Sequence, residues 1–197
     1  MQQDRIDKLS FVLNNRQPDL GVVLENVNDP HNIFAVARTC DAVGVQDIFI
    51  LQTEIPPHKK YGKGSSASAS KWVTIHRFDN AETCFAEVRK RYEKVYAAYL
   101  EKDAPTIYQT DFTKSIALVF GNEQWGITQQ TLPFCDEKFI IPQVGMVPSL
   151  NISVACAVTL YEAFRQRQMN DFYGTSRLDK IRYEELAVEW KLKRTID

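Results

Sequence analysis

The chain has 197 residues, and its 24 Lys and Arg against 25 Asp and Glu leave a formal net charge of −1. That length suits one domain burying roughly 70% of its unfolded surface, and the near-neutral balance excludes a uniformly basic nucleic-acid binder, so any anion-binding face must come from local clustering. Four scattered cysteines (Cys40, Cys84, Cys135 and Cys156), with no C-x-x-C pair, exclude a disulfide scaffold or a zinc set, and three of the four sit in apolar or small-residue surroundings that read as reduced core positions.

In chain order, the N-terminal MQQDRIDKLSF alternates charged with apolar residues and lacks a signal-peptide core, and no later stretch approaches the roughly 18 apolar residues of a membrane span. The expectation is a cytoplasmic protein. Ile6, Leu9, Val12 and Leu13 have helical spacing, and Gln17-Pro18-Asp19 ends that helix before an apolar strand over 22–24. Asp29-Pro30 reads as a helix start, in which Asp caps exposed amides and Pro occupies a position that needs no donor. This helix runs through Val43 and is closed by Gly44, and a strand follows over 48–51. After a polar, small-residue stretch over 62–70 come a strand over 72–75, a helix over 81–91 and a strand over 95–100. Further strands read over 116–120 and 139–141, then a long helix over 149–168, a polar linker over 171–177 and a final amphipathic helix carrying Ile181, Leu186, Val188 and Trp190.

Strands alternating with helices, at spacings too long for hairpins, predict an α/β domain: a parallel sheet with helices on both faces. Such sheets bind ligands beyond the C-terminal ends of their strands, which directs attention to 26–32, 121–126 and 142–151. Several chemistries lack their signatures. Glu25-Asn26-Val27-Asn28 stands where a G-x-G-x-x-G phosphate cradle would follow the first strand, which counts against a dehydrogenase. Gly62-Lys63-Gly64-Ser65-Ser66 has the wrong spacing for a phosphate loop and reads as a flexible, RNA- or substrate-touching loop. His31, His58 and His76 are too scattered to ligate a metal, and no G-x-S-x-G offers a hydrolase nucleophile.

Three segments remain at the strand ends. The first, NVNDPHNIFAVARTCDAVG, has Asn32 in the first turn of a helix and Arg38 six residues on. That separation is about 9 Å of rise and about 240° of rotation, so the two side chains leave the helix on different sides and serve different tasks or different subunits. The second, FGNEQWGIT at 120–128, sets two glycines, a carboxylate and an indole directly after a buried strand. The third, IPQVGMVPSLNISVACAVTLYEA, runs from a strand end through Gly145 into a helix whose early residues are small enough for close backbone approach.

In this order the segments resemble the signature motifs of the SpoU, or TrmH-like, 2′-O-ribose RNA methyltransferases of the SPOUT superfamily. N-I-F-A-V-A-R at 32–38 is similar to the first motif, F-G-N-E-Q-W-G-I at 120–127 to the second, and I-P-Q-V-G-M-V-P-S-L-N-I-S-V-A at 141–155 to the third. N-N-R-Q-P-D-L at 14–20 resembles the start of the tRNA-modifying TrmH branch.

The resemblance implies a SPOUT methyltransferase domain over 1–170, its C-terminal part tied in a deep trefoil knot, with a C-terminal helical extension over 171–197. It implies a homodimer that binds S-adenosylmethionine within the knot; the histidine spacing and the lack of an apolar span are what argue against a metal or a membrane partner. Ala98, Gly121, Ile141 and Leu150 would build the cofactor pocket, mainly by backbone, with Gly121 and Gly126 permitting tight turns around a bent cofactor. Arg38 matches the family's catalytic arginine; being always protonated, it is best suited to bind the target phosphate and orient or acidify the hydroxyl. Asn32 would hold that arginine, the ribose or the cofactor carboxylate, and Glu123, Ser149 and Asn151 would complete a polar wall. Ser149 or Asn151 is equally placed to cap the long helix, and Asn32 to satisfy first-turn amides. Trp125 departs from the family's usual small or charged residue and reads as packing or base stacking.

The implied partner is RNA, first a tRNA D-loop guanosine and second rRNA or another tRNA position. A non-catalytic RNA-binding member would be expected to lack Arg38 or Asn32, and both are present. Basic residues gather at Arg77 with Arg89-Lys90-Arg91, at Lys59, Lys60, Lys63 and Lys71, and at Arg165, Arg167, Lys191, Lys193 and Arg194. They read as solvated helix faces or as one groove of phosphate contacts in a dimer.

Overall fold

Leu20–Glu25 (β1) is buried at every residue, and a run this apolar can satisfy itself only inside a sheet covered on both faces. The computed structural model describes residues 3–55 and 69–192, and β1 lies near the middle of a six-stranded sheet within them. The other strands are Asp47–Leu51 (β2), Thr74–Phe78 (β3), Lys94–Ala98 (β4), Ile116–Phe120 (β5) and Glu137–Phe139 (β6). Their order is β3-β2-β1-β5-β4-β6, and every pairing is parallel.

The helices are Gln3–Asn14 (α1), Pro30–Val43 (α2), Ala81–Arg89 (α3), Ile152–Met169 (α4) and Lys180–Glu189 (α5). Strand alternation divides the core. Leu20, Val22 and Leu24, with Ile48, Ile50, Ile116 and Leu118, meet Ile33, Val36, Ala37 and Cys40 of α2 and Cys156, Leu160 and Ala163 of α4. Val23, Phe49, Ala117 and Val119 point the other way, against Cys84, Phe85 and Val88 of α3. The expected parallel sheet with helices on both faces is therefore what forms. The cysteines are free, and three of the four are buried; burial, with Glu25 nearby, pushes the thiols of Cys84 and Cys135 up to about 12.

Three expectations need correction. The strand read over 72–75 begins at Thr74, because Trp72 turns away to meet Trp190 edge-on, ring centroids 5.5 Å apart. The long helix starts at Ile152 and not at Ser149, because Asn151 is the residue whose side chain caps it, accepting from the Ser153 amide at 2.9 Å. Residues 171–177 carry no helix or strand, as expected of a linker, and are tied back to the end of α1: Phe172 O accepts from Gln17 Nε2 at 2.9 Å, and the Gly174 amide donates to Asn15 Oδ1 at 2.9 Å. Arg167 is no surface cation but a fully buried one.

Arg167 donates to Asp19 Oδ1 at 2.6 Å and to the carbonyls of Phe112 and Lys114. Arg177 takes the same carboxylate through both oxygens, at 2.9 and 2.8 Å. Burial lowers the Arg167 pKa, and Asp19 is the counter-charge that opposes the shift. A third core joins the chain's two ends, with Leu9 and Leu13 of α1 packing on Leu186, Ala187 and Trp190.

Removing Asp19 would leave Arg167 buried without its carboxylate, a defect that costs about 3–5 kcal/mol. Asp19→Ala is expected to lower the unfolding free energy in urea by that amount; a loss under about 1 kcal/mol would show that the ion pair does not hold these segments.

Candidate active site

The site begins where β1 ends. Glu25 is completely buried and accepts three hydrogen bonds, from the Thr128 amide at 3.1 Å, Thr128 Oγ1 at 2.6 Å and Thr131 Oγ1 at 2.7 Å. Asn26 follows in the left-handed region, φ 51°, which Asn tolerates better than most residues. Its Oδ1 accepts from the amides of Thr53 and Glu54, and its carbonyl accepts from Asn122 Nδ2 at 2.7 Å. These two residues bind the ends of β1, β2 and β5 together.

The segment after β5 folds into a tight loop. Asn122 and Gly126 exchange backbone hydrogen bonds at 3.0 and 2.9 Å, and Asn122 Oδ1 accepts from the Gln124 amide. A Cβ on Gly121 would lie 2.2 Å from the Gly126 carbonyl carbon, and Gly126 itself has φ +72°. The glycines therefore serve the loop's own closure before any ligand is considered.

Beside this loop, beyond the C-terminal ends of β4, β5 and β6, lies a cavity of about 400 Å³, within the roughly 300–1,000 Å³ of small-molecule sites. Its wall includes Ala98, Gly121, Ile141 and Leu150, all four expected cofactor-pocket residues, together with Glu123 and Ser149. Trp125 also lines it while remaining 52% exposed.

Asn32 and Asn151 stand outside that wall but reach it through hydrogen bonds. Asn32 Nδ2 donates to Glu123 Oε1 at 2.6 Å, and Asn151 Nδ2 donates to Asn32 Oδ1 at 3.2 Å. One relay thus joins the start of α2, the loop after β5 and the start of α4. Asn151 does both of the jobs its position offered: Oδ1 caps α4 while Nδ2 enters the relay. Asp29, not Asn32, satisfies the first turn of α2, accepting from the His31 amide at 2.8 Å. Ser149 lies in the loop before α4 and caps nothing. Arg38 is exposed on α2 and is not part of the cavity wall.

Sequence reasoning passed over Glu25, Asn26 and Asn122. The usable signal was a charged residue closing a strand of apolar ones, where a ligand-binding turn would be expected to have glycine. Of the basic residues, Arg89 is tied to Asp136 at 2.7 Å, and Lys90 and Arg91 both pair with Glu87; Arg165 pairs with Glu162. Lys59, Lys60, Lys63, Lys193 and Arg194 lie outside the described residues.

Residues 19–161 match the model of the SpoU rRNA Methylase family. The chain is 40% identical over 188 residues to a tRNA (guanosine(18)-2′-O)-methyltransferase of Thermus thermophilus, covering 94% of this chain and 95% of that one. Its structure is similar to a TrmH/SpoU tRNA modifying enzyme of Aquifex aeolicus, with a TM-score of 0.86, 35% identity and coverage of 99% of this chain and 98% of that one. It is also similar to the SpoU methyltransferase AviRb of Streptomyces viridochromogenes in complex with AdoMet, with a TM-score of 0.67, 25% identity and coverage of 85% and 65%.

Hydrogen bonds to a buried charge carry about 1.5–3 kcal/mol each, and donors stranded without it cost more. Glu25→Ala is expected to lose about 2–4 kcal/mol of stability and to speed amide exchange at Thr128. Unchanged exchange there would mean that Glu25 does not anchor the loop.

Proposed function

The chain belongs to the SpoU methylase family, and on that premise we propose that it methylates a ribose 2′-hydroxyl of tRNA, at a D-loop guanosine, using S-adenosylmethionine. The observation that carries this reading is the Asn151–Asn32–Glu123 relay, which brings all three motif segments to the mouth of one cavity. The match to a tRNA guanosine-18 enzyme over 94% of the chain favours tRNA over rRNA.

The cavity fits the cofactor in size, in its largely apolar wall and in its open backbone at 121–126 and 148–150. Ala98, Gly121, Ile141 and Leu150 would hold it. When bound, it supplies a methyl group already activated by the sulfonium charge, leaving the protein to position the hydroxyl and manage one proton. Glu123 is fixed by Asn32 at the cavity wall, and Asn32 in turn by Asn151, so this polar edge is ordered before substrate arrives. Arg38, exposed on α2, takes the RNA side: its guanidinium binds the target phosphate and orients the hydroxyl, since an arginine is not readily deprotonated. Trp125, half-exposed at the rim, offers a face for base stacking.

The chain acts as a homodimer in this reading. Val154, Val158 and Tyr161 leave an exposed apolar stripe on α4 at i, i+4, i+7 spacing, and Met146 and Val147 are exposed in the segment before that helix; an uncovered stripe of this kind marks an association surface. The proposed trefoil knot over the C-terminal part draws support from the chain's return from β6, at the sheet edge, to α4, packed on α2. Residues 1–170 are the methyltransferase domain and 171–197 an extension whose described helix, α5, packs on α1, and the enzyme works in the cytoplasm. No described helix is long and apolar enough to cross a membrane.

Radiolabelled methyl transfer to unmodified tRNA and, separately, to rRNA, with nuclease mapping, tests the reaction. Label is expected on a tRNA ribose, and Arg38→Ala is expected to lose at least about a hundredfold in rate while cofactor affinity stays nearly unchanged. Label on neither RNA, or a large loss of cofactor binding in the variant, would contradict these roles. In sedimentation the protein is expected to run as a dimer and Val158→Asp as a monomer. A wild-type monomer fully active at every dilution would overturn the assembly.

A further inference from the structure

Charge is distributed unevenly around the cavity. Among the described residues its wall carries one formally charged side chain, Glu123, amid apolar groups, amides, hydroxyls and backbone. The hydrogen bond that fixes this carboxylate comes from Asn32, a neutral amide, so the contact orients the charge without cancelling it. Among the described residues no Lys or Arg joins that wall.

The two forms of the cofactor differ in charge. S-adenosylmethionine carries a sulfonium, an ammonium and a carboxylate, a net charge of +1 at neutral pH. Once the methyl has left, the sulfur is a neutral thioether and the net charge is zero. Adenosine, ribose and the amino-acid end are common to both, so shape and hydrogen bonding alone discriminate weakly between them.

We propose that Glu123 makes the cavity charge-selective, retaining the cationic methyl donor and releasing the neutral thioether product, in addition to its part in the polar relay. This rests on the methyl-donor reading above. A unit charge several ångströms from a carboxylate in a partly wet cleft shifts affinity by roughly fivefold to tenfold, and the shift weakens as salt screens it. The consequence is a turnover in which transfer itself loosens the spent cofactor.

Calorimetric titration of the full chain with S-adenosylmethionine, S-adenosylhomocysteine and sinefungin, whose protonated amine replaces the methylated sulfonium, provides the test. The two cations are expected to bind about fivefold to tenfold more tightly than the thioether, and Glu123→Gln, which keeps an acceptor for Asn32, is expected to reduce that preference below about twofold. The homocysteine form is expected to bind the variant about as well as wild type. If none of the three binds wild type, the methyl-donor reading itself fails. If all bind and the preference is absent, or survives in Glu123→Gln, charge selection is wrong while that reading stands. Wild-type protein gives an independent measurement: raising salt from about 0.05 to about 0.5 M is expected to narrow the preference, and a constant ratio would overturn the proposal.

Discussion

The parallel pairing of β1 with β5 is the constraint from which the site follows. Five residue pairs, from Leu20 with Ile116 to Leu24 with Phe120, join segments almost a hundred residues apart and end them at the same level. Because the strands are parallel, what leaves β1 and what leaves β5 emerge side by side. Asn122 can then reach the Asn26 carbonyl, and Asn32 can reach Glu123. A one-residue slip in this register would turn Glu25 from its threonines toward the other face. The sheet therefore fixes the geometry of the polar relay, while the loops supply its chemistry.

Two further devices make that arrangement rigid. Glu25 and Asn26 pin neighbouring strand ends to one another, so the loop over 120–131 does not depend on ligand for its shape. At the opposite end of the strands, the Asp19 carboxylate gathers Arg167 and Arg177, which anchors the last turn of α4. The helix that contributes Asn151 at its start is thus held at its far end by a buried ion pair. A buried pair of this sort adds little net stability; what it contributes here is a single position for α4 against the sheet.

Much of this was legible in the sequence, for local reasons. Asp29-Pro30 and Gly44 mark α2 because capping and closure need only a few adjacent residues. The strands are visible as apolar runs, and the motif loops fall at their C-terminal ends as the sheet rule requires. Ala98, Gly121, Ile141 and Leu150 line one cavity, and Asn32, Glu123 and Asn151 are joined by hydrogen bonds at its side. What stayed hidden depends on distant partners. Arg167 belongs to a helix face that looks solvated until Asp19, 148 residues earlier, is placed beside it. Trp72 reads as a strand residue until Trp190 appears. Ser149 and Asn151 are both reasonable caps on paper, and only the path of the chain from Pro148 decides between them.

The small core that α1 shares with α5 carries a consequence for how the molecule is made. Leu9 and Leu13 are synthesised long before the residues that cover them, from Leu178 to Trp190. The sheet and its flanking helices can assemble meanwhile from contacts of shorter separation, whereas this core must wait for nearly the whole chain and then close a very long loop. Of the described helices, α1 thus waits longest for the residues that cover it. During translation its apolar stripe is the surface most in need of protection from aggregation.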